Sequence, residues 1–286
     1  MLNAAGHDLD PQLLEPAAES GSVYRFIQAG TADQPDLPYY LYLPAGEAQP
    51  QRVLVAVHGI SRNVDEHLAA MRSWADEYAT ALVLPVYDKL DFHDYQRLGR
   101  SAYGARADLP LLRALDDIAS MFGIDTERVA LFGFSGGAQF AHRFALMHGA
   151  RVSALGLASA GWYTWPDPEQ AYPFGMADAM GLPGAGPDID RLLQIPTCVF
   201  VGERDTQRDR ALNTATRIDT LQGRNRVERA HNWSSAMRGL ALSRGIDSRM
   251  RLQLLPHTRH SYLKAVTRGQ LMSRLFSCFY DDQGVQ

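Results

Sequence analysis

The sequence predicts an α/β fold: a mostly parallel sheet of about eight strands with helices on both faces. Three observations carry this. Short apolar runs alternate with stretches of helical spacing along most of the 286 residues, the rhythm of strand–helix–strand units. Some of those runs, among them 53–57 and 129–132, are apolar at every position, as strands covered on both faces are. One run enters Gly133-Phe134-Ser135-Gly136-Gly137, a G-x-S-x-G turn that opens a helical stretch.

Residues 1–20 are polar and punctuated by proline, and are expected to form a flexible N-terminal arm before a single domain over 21–286. Val23-Tyr24-Arg25-Phe26-Ile27 and Tyr39-Tyr40-Leu41-Tyr42-Leu43 are aromatic-rich and predict an antiparallel edge pair. The core begins at 53–57, which leads into His58-Gly59-Ile60-Ser61-Arg62-Asn63, then a helix to about Tyr78 and a buried strand over 81–86. A polar, aromatic loop over 91–103 falls at the C-terminal edge of the sheet, where ligands bind in open α/β folds. Leu109, Leu112, Leu115, Ile118 and Phe122 follow helical spacing before the strand that ends at Ser135.

Beyond the Ser135 helix, 154–158 reads as a strand, and the rhythm then breaks. An irregular insertion at about 161–192, rich in aromatics, glycine and proline, predicts a lid-like loop, with a packed surface loop as the alternative. The strand at 196–201 ends in Gly202-Glu203-Arg204-Asp205. Helices are expected over about 206–223 and 228–244 with their arginines on a solvated face, then an edge strand at 249–255 and a closing amphipathic helix.

The charge balance, 28 Lys and Arg against 32 Asp and Glu without a long run of one sign, argues against nucleic acid or a membrane surface as partner. No stretch of about 18 apolar residues occurs. The two cysteines, Cys198 and Cys278, fall in a buried strand and the closing helix and are expected to be small core residues outside any disulfide. With no leader pattern at the N-terminus, the expected location is cytoplasmic. The nine histidines show no metal-ligand spacing, so neither metal nor cofactor is expected. Oligomeric state is not legible.

A strand that reverses into a helix within a few residues forces Ser135 into a strained conformation, with side-chain-free neighbours at 133 and 137 so that the two elements can pack. The hydroxyl then stands clear at a helix N-terminus, which suits a developing oxyanion. A serine nucleophile needs a base and a carboxylate that orients it. His260 follows the last strand and Asp205 the one before it, and parallel strands deliver such loops to one edge. Glu203 and Asp209 compete with Asp205, but Glu203 lies nearer the strand and Asp209 is expected to be helical already. His257 competes with His260, which has more loop in which to swing back. The backbone N–H groups of Ile60 and Gly136 are the candidate oxyanion donors. His58 is read as a structural hydrogen-bonder, Arg62 and Asn63 as pocket-shaping or capping residues, and Trp162, Tyr163 and Trp165 as an aromatic substrate wall.

From about residue 23 to the end, the sequence resembles the α/β-hydrolase superfamily. Through residues 58–63, 133–138 and Ala160-Gly161-Trp162-Tyr163 it is similar to bacterial serine esterases of the poly(3-hydroxybutyrate) depolymerase-like and feruloyl-esterase-like kinds. The resemblance implies an α/β-hydrolase fold and a small-molecule ester substrate, with Ser135 as nucleophile, Asp205 as acid and His260 as base. An acyltransferase or peptidase using the same residues, or a non-catalytic binding protein on the same fold, are the alternatives.

Overall fold

The computed structural model describes residues 21–46, 49–100, 104–177 and 186–281; the expected arm at 1–20 lies outside them. Eight strands, β1 (Ser22–Gln28), β2 (Leu37–Leu43), β3 (Arg52–Val57), β4 (Thr80–Pro85), β5 (Val129–Phe134), β6 (Val152–Ala158), β7 (Thr197–Gly202) and β8 (Met250–Leu255), form one sheet in the order β1-β2-β4-β3-β5-β6-β7-β8. Only β2 opposes its neighbours; every pair from β4 to β8 is parallel.

Alternate residues of each central strand serve two cores. On one face Val53, Val55 and Val57 meet α2 (Asp108–Phe122), α3 (Gly136–Met147), α4 (Ile189–Gln194) and α6 (Arg226–Ser243). On the other, Leu54 and Ala56 meet α1 (Val64–Glu77), α7 (Tyr262–Thr267) and α8 (Leu271–Phe276). Both faces are covered, which is why these strands are apolar throughout. Register fixes the functional edge: Leu54 to Val57 on β3 pair with Ala130 to Gly133 on β5, so His58-Gly59 emerges beside Phe134-Ser135.

Several expectations are corrected. The stretch 206–223 is helical only at α5 (Thr216–Gln222). Asp209 and Asn213 instead accept hydrogen bonds from the N–H groups of Ala211 and Ala215, at 2.9 and 3.0 Å, local turns that compete with a helix. Asp209 is therefore a loop residue. The arginines of α6 are divided: Arg238 is exposed, as expected, but Arg226 and Arg229 are buried. Arg229 is accommodated because it donates to the carbonyls of Gly161, Asn213 and Gly223 and to Asp219. The closing helix is divided into α7 and α8 at Gly269-Gln270, where Gln270 takes a left-handed φ of 54°.

The cysteines are also corrected. Cys198 on β7 and Cys278, just past α8, form a disulfide that closes a segment of 80 residues. Two cysteines so far apart in the chain leave no spacing signature; the pairing follows from α8 packing against the strand face that carries Cys198. A closure of this length contributes about 2–4 kcal/mol. Without reductant, alkylation of the denatured chain should therefore modify neither cysteine and after reduction both, and urea denaturation with reductant should show stability lower by about that amount.

Candidate active site

At the end of β5 the chain turns into α3 within one residue. Ser135 has φ 55° and ψ −110°, a backbone region that costs a non-glycine residue about 1–3 kcal/mol and persists only where packing enforces it. The packing is severe. A Cβ on Gly133 would lie 2.2 Å from the Gly137 carbonyl, and one on Gly137 would lie 2.0 Å from the Val57 carbonyl oxygen of β3. Strand, turn and helix can approach this closely only with glycine at both positions.

The strand-end loops converge on Ser135. His260, after β8, has its Nε2 3.0 Å from the Ser135 Oγ, and its Nδ1 lies 2.8 Å from Asp205 Oδ2 on the loop after β7. With Nδ1–H donating to the carboxylate, Nε2 is left to accept the hydroxyl proton. The Phe134 ring stacks on the imidazole with centroids 5.4 Å apart. Asp205 is buried, whereas His260 keeps some access to solvent. The competing residues lie elsewhere: Glu203 accepts from the backbone N–H of His257 at 2.8 Å on the exposed side of the loops. Asp209 pairs with Arg226, which also reaches Asp205.

The segment after β3 is fixed as firmly. His58 is buried; its Nε2 accepts from the Tyr87 N–H at 3.0 Å, so Nδ1 donates to the Gly59 carbonyl at 2.8 Å. Burial pulls its pKa down to about 4, so it is neutral and structural, as expected. Arg62 donates to the carbonyls of Ile60, Tyr87 and Asp88, anchoring the turn to the end of β4. Asn63 precedes α1 without capping it through its side chain. A Cβ on Gly136 would lie 3.4 Å from the Ile60 nitrogen, so the two expected oxyanion donors belong to adjoining backbone.

A cleft of about 330 Å³ opens here, with Phe134, Ser135 and His260 in its lining. Ile60 and Leu263, both exposed, and Tyr262 make it apolar, while Ser61, Asn63 and Glu66 edge it with polar groups. A larger hollow of about 540 Å³ lies at the opposite edge of the sheet among Arg52, Arg128 and Arg249 and contains none of these residues.

The aromatic wall is corrected. Trp162 and Tyr163 are buried, and neither they nor Trp165 line the cleft. Trp162 stacks on Phe174 at 5.1 Å with the Arg143 guanidinium over its ring at 4.2 Å, and Tyr163 stacks on Trp233 of α6 at 4.4 Å. Trp165 packs half-buried against the core, its N–H bonded to the Phe174 carbonyl. The Gln222 side-chain amide closes on both backbone groups of Tyr163. Over 161–177 the insertion is thus a packed loop; 178–185 lies outside the described residues. Its aromatic composition reports burial, and composition alone does not separate burial from a binding wall.

Comparison with known proteins bears on this geometry. The family model described as esterase PHB depolymerase matches residues 37–167, a span that includes β3, the Ser135 turn and α3. The poly(3-hydroxybutyrate) depolymerase LpqC from Bordetella parapertussis superposes with a TM-score of 0.73 at 26% identity, over 92% of this chain and 90% of that one. The fold is that of the α/β-hydrolases, and the chain is similar to the esterases among them. A second solved structure, poly(aspartic acid) hydrolase-1 from Sphingomonas sp. KT-1, matches with a TM-score of 0.74 at 26% identity, over 90% of this chain and 97% of that one. A ferulic acid esterase shares the fold at a TM-score of 0.60 and 16% identity, over 91% of this chain and 98% of that one. No curated protein matches the chain.

Arg226 and Leu263 carry no signal in the sequence. Arg226 and Leu263 lie within helices, where no local pattern separates a residue facing the site from any other.

Three buried histidines give the protein an acid limit. Burial lowers His58 to about 4 and His67 to about 3, and holds His142 well below the ordinary value of 6.5. On unfolding each gains a proton below about pH 6.5 that the folded state does not take up. Stability is therefore full above that pH and lost as pH falls toward each folded value, by up to about 1.4 kcal/mol per pH unit per histidine. Urea denaturation should give a markedly lower midpoint at pH 5 than at pH 7.5.

Proposed function

We propose that this protein hydrolyses carboxylic esters through an acyl-enzyme on Ser135. The observation that carries the reading is the relay Ser135 Oγ, His260 Nε2, His260 Nδ1, Asp205 Oδ2, with spacings of 3.0 and 2.8 Å. His260 takes the hydroxyl proton as Ser135 Oγ attacks the ester carbonyl. The tetrahedral oxyanion is received by the N–H groups of Ile60 and Gly136. His260 then protonates the leaving alcohol, and water, deprotonated in turn by His260, releases the acid. Asp205 fixes the tautomer and stabilises the imidazolium.

The open cleft between Ile60 and Leu263 supports a substrate with an apolar portion beside the scissile bond. A polymeric ester, by analogy with the depolymerase relative, would fit a site without a wall of large aromatics. A second reading has its own support: Arg210, Arg259 and Lys264 are exposed neighbours in sequence of the cleft residues Ala211, His260 and Leu263. Such a cationic border suits a substrate bearing carboxylates, as the poly(aspartic acid) hydrolase relative suggests. The Cys198–Cys278 bridge supports work in an oxidising compartment rather than the cytoplasm expected from the sequence.

Ser135→Ala should lower hydrolysis of p-nitrophenyl butyrate by at least about 10⁴-fold and abolish labelling by a fluorophosphonate; labelling that persisted in the variant would defeat the assignment. Asp205→Asn should cost about 10⁴ in kcat through loss of the tautomer. Rates on 3-hydroxybutyrate oligomers and on polyaspartate decide between the two substrate classes, the first expected to be the faster.

A further inference from the structure

We infer that Arg226 is a positioning residue: it holds the Asp205 carboxylate from the side opposite His260 and tempers the attraction of that carboxylate for the imidazolium. The inference rests on the proposed Ser135–His260–Asp205 relay. Arg226 opens α6 and is buried at 1% side-chain exposure. Its Nη1 donates to Asp205 Oδ1 at 3.3 Å and to Asp209 Oδ2 at 2.9 Å, and its Nη2 donates to Asp209 Oδ1 at 3.0 Å. Asp205 thus gives one oxygen to His260 and the other to a guanidinium that a second carboxylate already half neutralises. A buried cation shared in this way has two effects. It fixes the carboxylate plane from the side opposite the imidazole, and it weakens the field that Asp205 exerts on His260.

The other groups facing this pair are few. Asp209 bears on His260 and is itself held below the usual carboxylate range by Arg226. The buried Tyr163 hydroxyl faces Asp205 from the segment after β6. Arg229, one turn along α6, bears on Arg226 and is tied to Asp219. The Phe134 ring covering the imidazole is uncharged. Arg226 and Asp209 therefore act on the relay with opposite signs, and their removal should move the acid limb of the pH–rate profile in opposite directions.

The test is the pH dependence of kcat/KM on p-nitrophenyl butyrate for the full chain. Without the cation, the imidazolium is favoured, so Arg226→Met should move the acid limb to higher pH by about 0.5–1 unit. Asp209→Asn removes a negative charge near His260 and leaves Arg226 acting on Asp205 alone, so its limb should move to lower pH. Arg226→Lys, which keeps the charge, should stay near the parent limb. A role confined to stabilising the fold would lower rates in both variants without this reversal. Limbs that do not move, or that move the same way, overturn the inference. Should Arg226→Met fail to fold, Arg226→Gln, which keeps donors for both carboxylates without the charge, takes its place and should show the same move to higher pH, against the opposite move of Asp209→Asn at a side chain 37% exposed. Activity that survives Ser135→Ala would instead remove the relay itself, an outcome distinct from a parent that needs Ser135 but shows no shift in either variant.

Discussion

The structure depends on one close approach. The first turn of α3 lies so near the ends of β5 and β3 that Gly137 leaves no room for a Cβ against the Val57 carbonyl. That contact forces Ser135 into its strained backbone conformation and turns its side chain toward the loops after β7 and β8. It also sets Gly136 against Ile60, so the serine and both candidate N–H donors derive from the same crowding. The fold supplies the force: β3 and β5 pair in parallel register up to Val57 and Gly133, and α3 packs Phe140, Ala141 and Phe144 into the adjoining core. Strain at the turn is small beside the burial that holds these elements together.

How much of this is legible in the sequence follows from the range of the interactions. The strands are legible because burial on both faces writes a local apolar run, and the Ser135 turn because steric crowding writes glycine at fixed offsets. Asp205 and His260 can be located because parallel topology restricts where strand-end loops emerge. Arg226, by contrast, is one arginine among many in a helix, and its burial is decided by Asp205 and Asp209, some twenty residues earlier. The Cys198–Cys278 bridge depends on how α8 docks, which no local pattern encodes. Trp162 and Tyr163 mislead for a related reason: aromatic residues after a strand end can face a ligand or face α3 and α6, and it is Gln222, Arg143 and Trp233 that settle the matter.

Buried arginines are a recurrent device on this side of the sheet. Arg143, Arg226 and Arg229 are all enclosed, and each ties irregular backbone or loop carboxylates to a helix. Arg143 donates to Gln96, Gln139 and Thr164 with no carboxylate among those partners, and burial lowers its pKa to about 9. Long polar side chains donating to carbonyls hold the loops of 91–97, 161–177 and 206–215 where apolar packing alone would leave backbone groups unpaired. The loops around the cleft are therefore organised by directional bonds, and the sheet beneath them by burial.

The disulfide joins the strand that precedes Asp205 to the segment that follows α8, so Asp205 and His260 both lie on a covalently closed ring of chain while Ser135 lies outside it. A protease that cut the irregular stretch between β7 and α5 would open the ring without separating its pieces. The acid and the base would remain on one crosslinked molecule, and the nicked protein would part into two fragments only where thiols were plentiful.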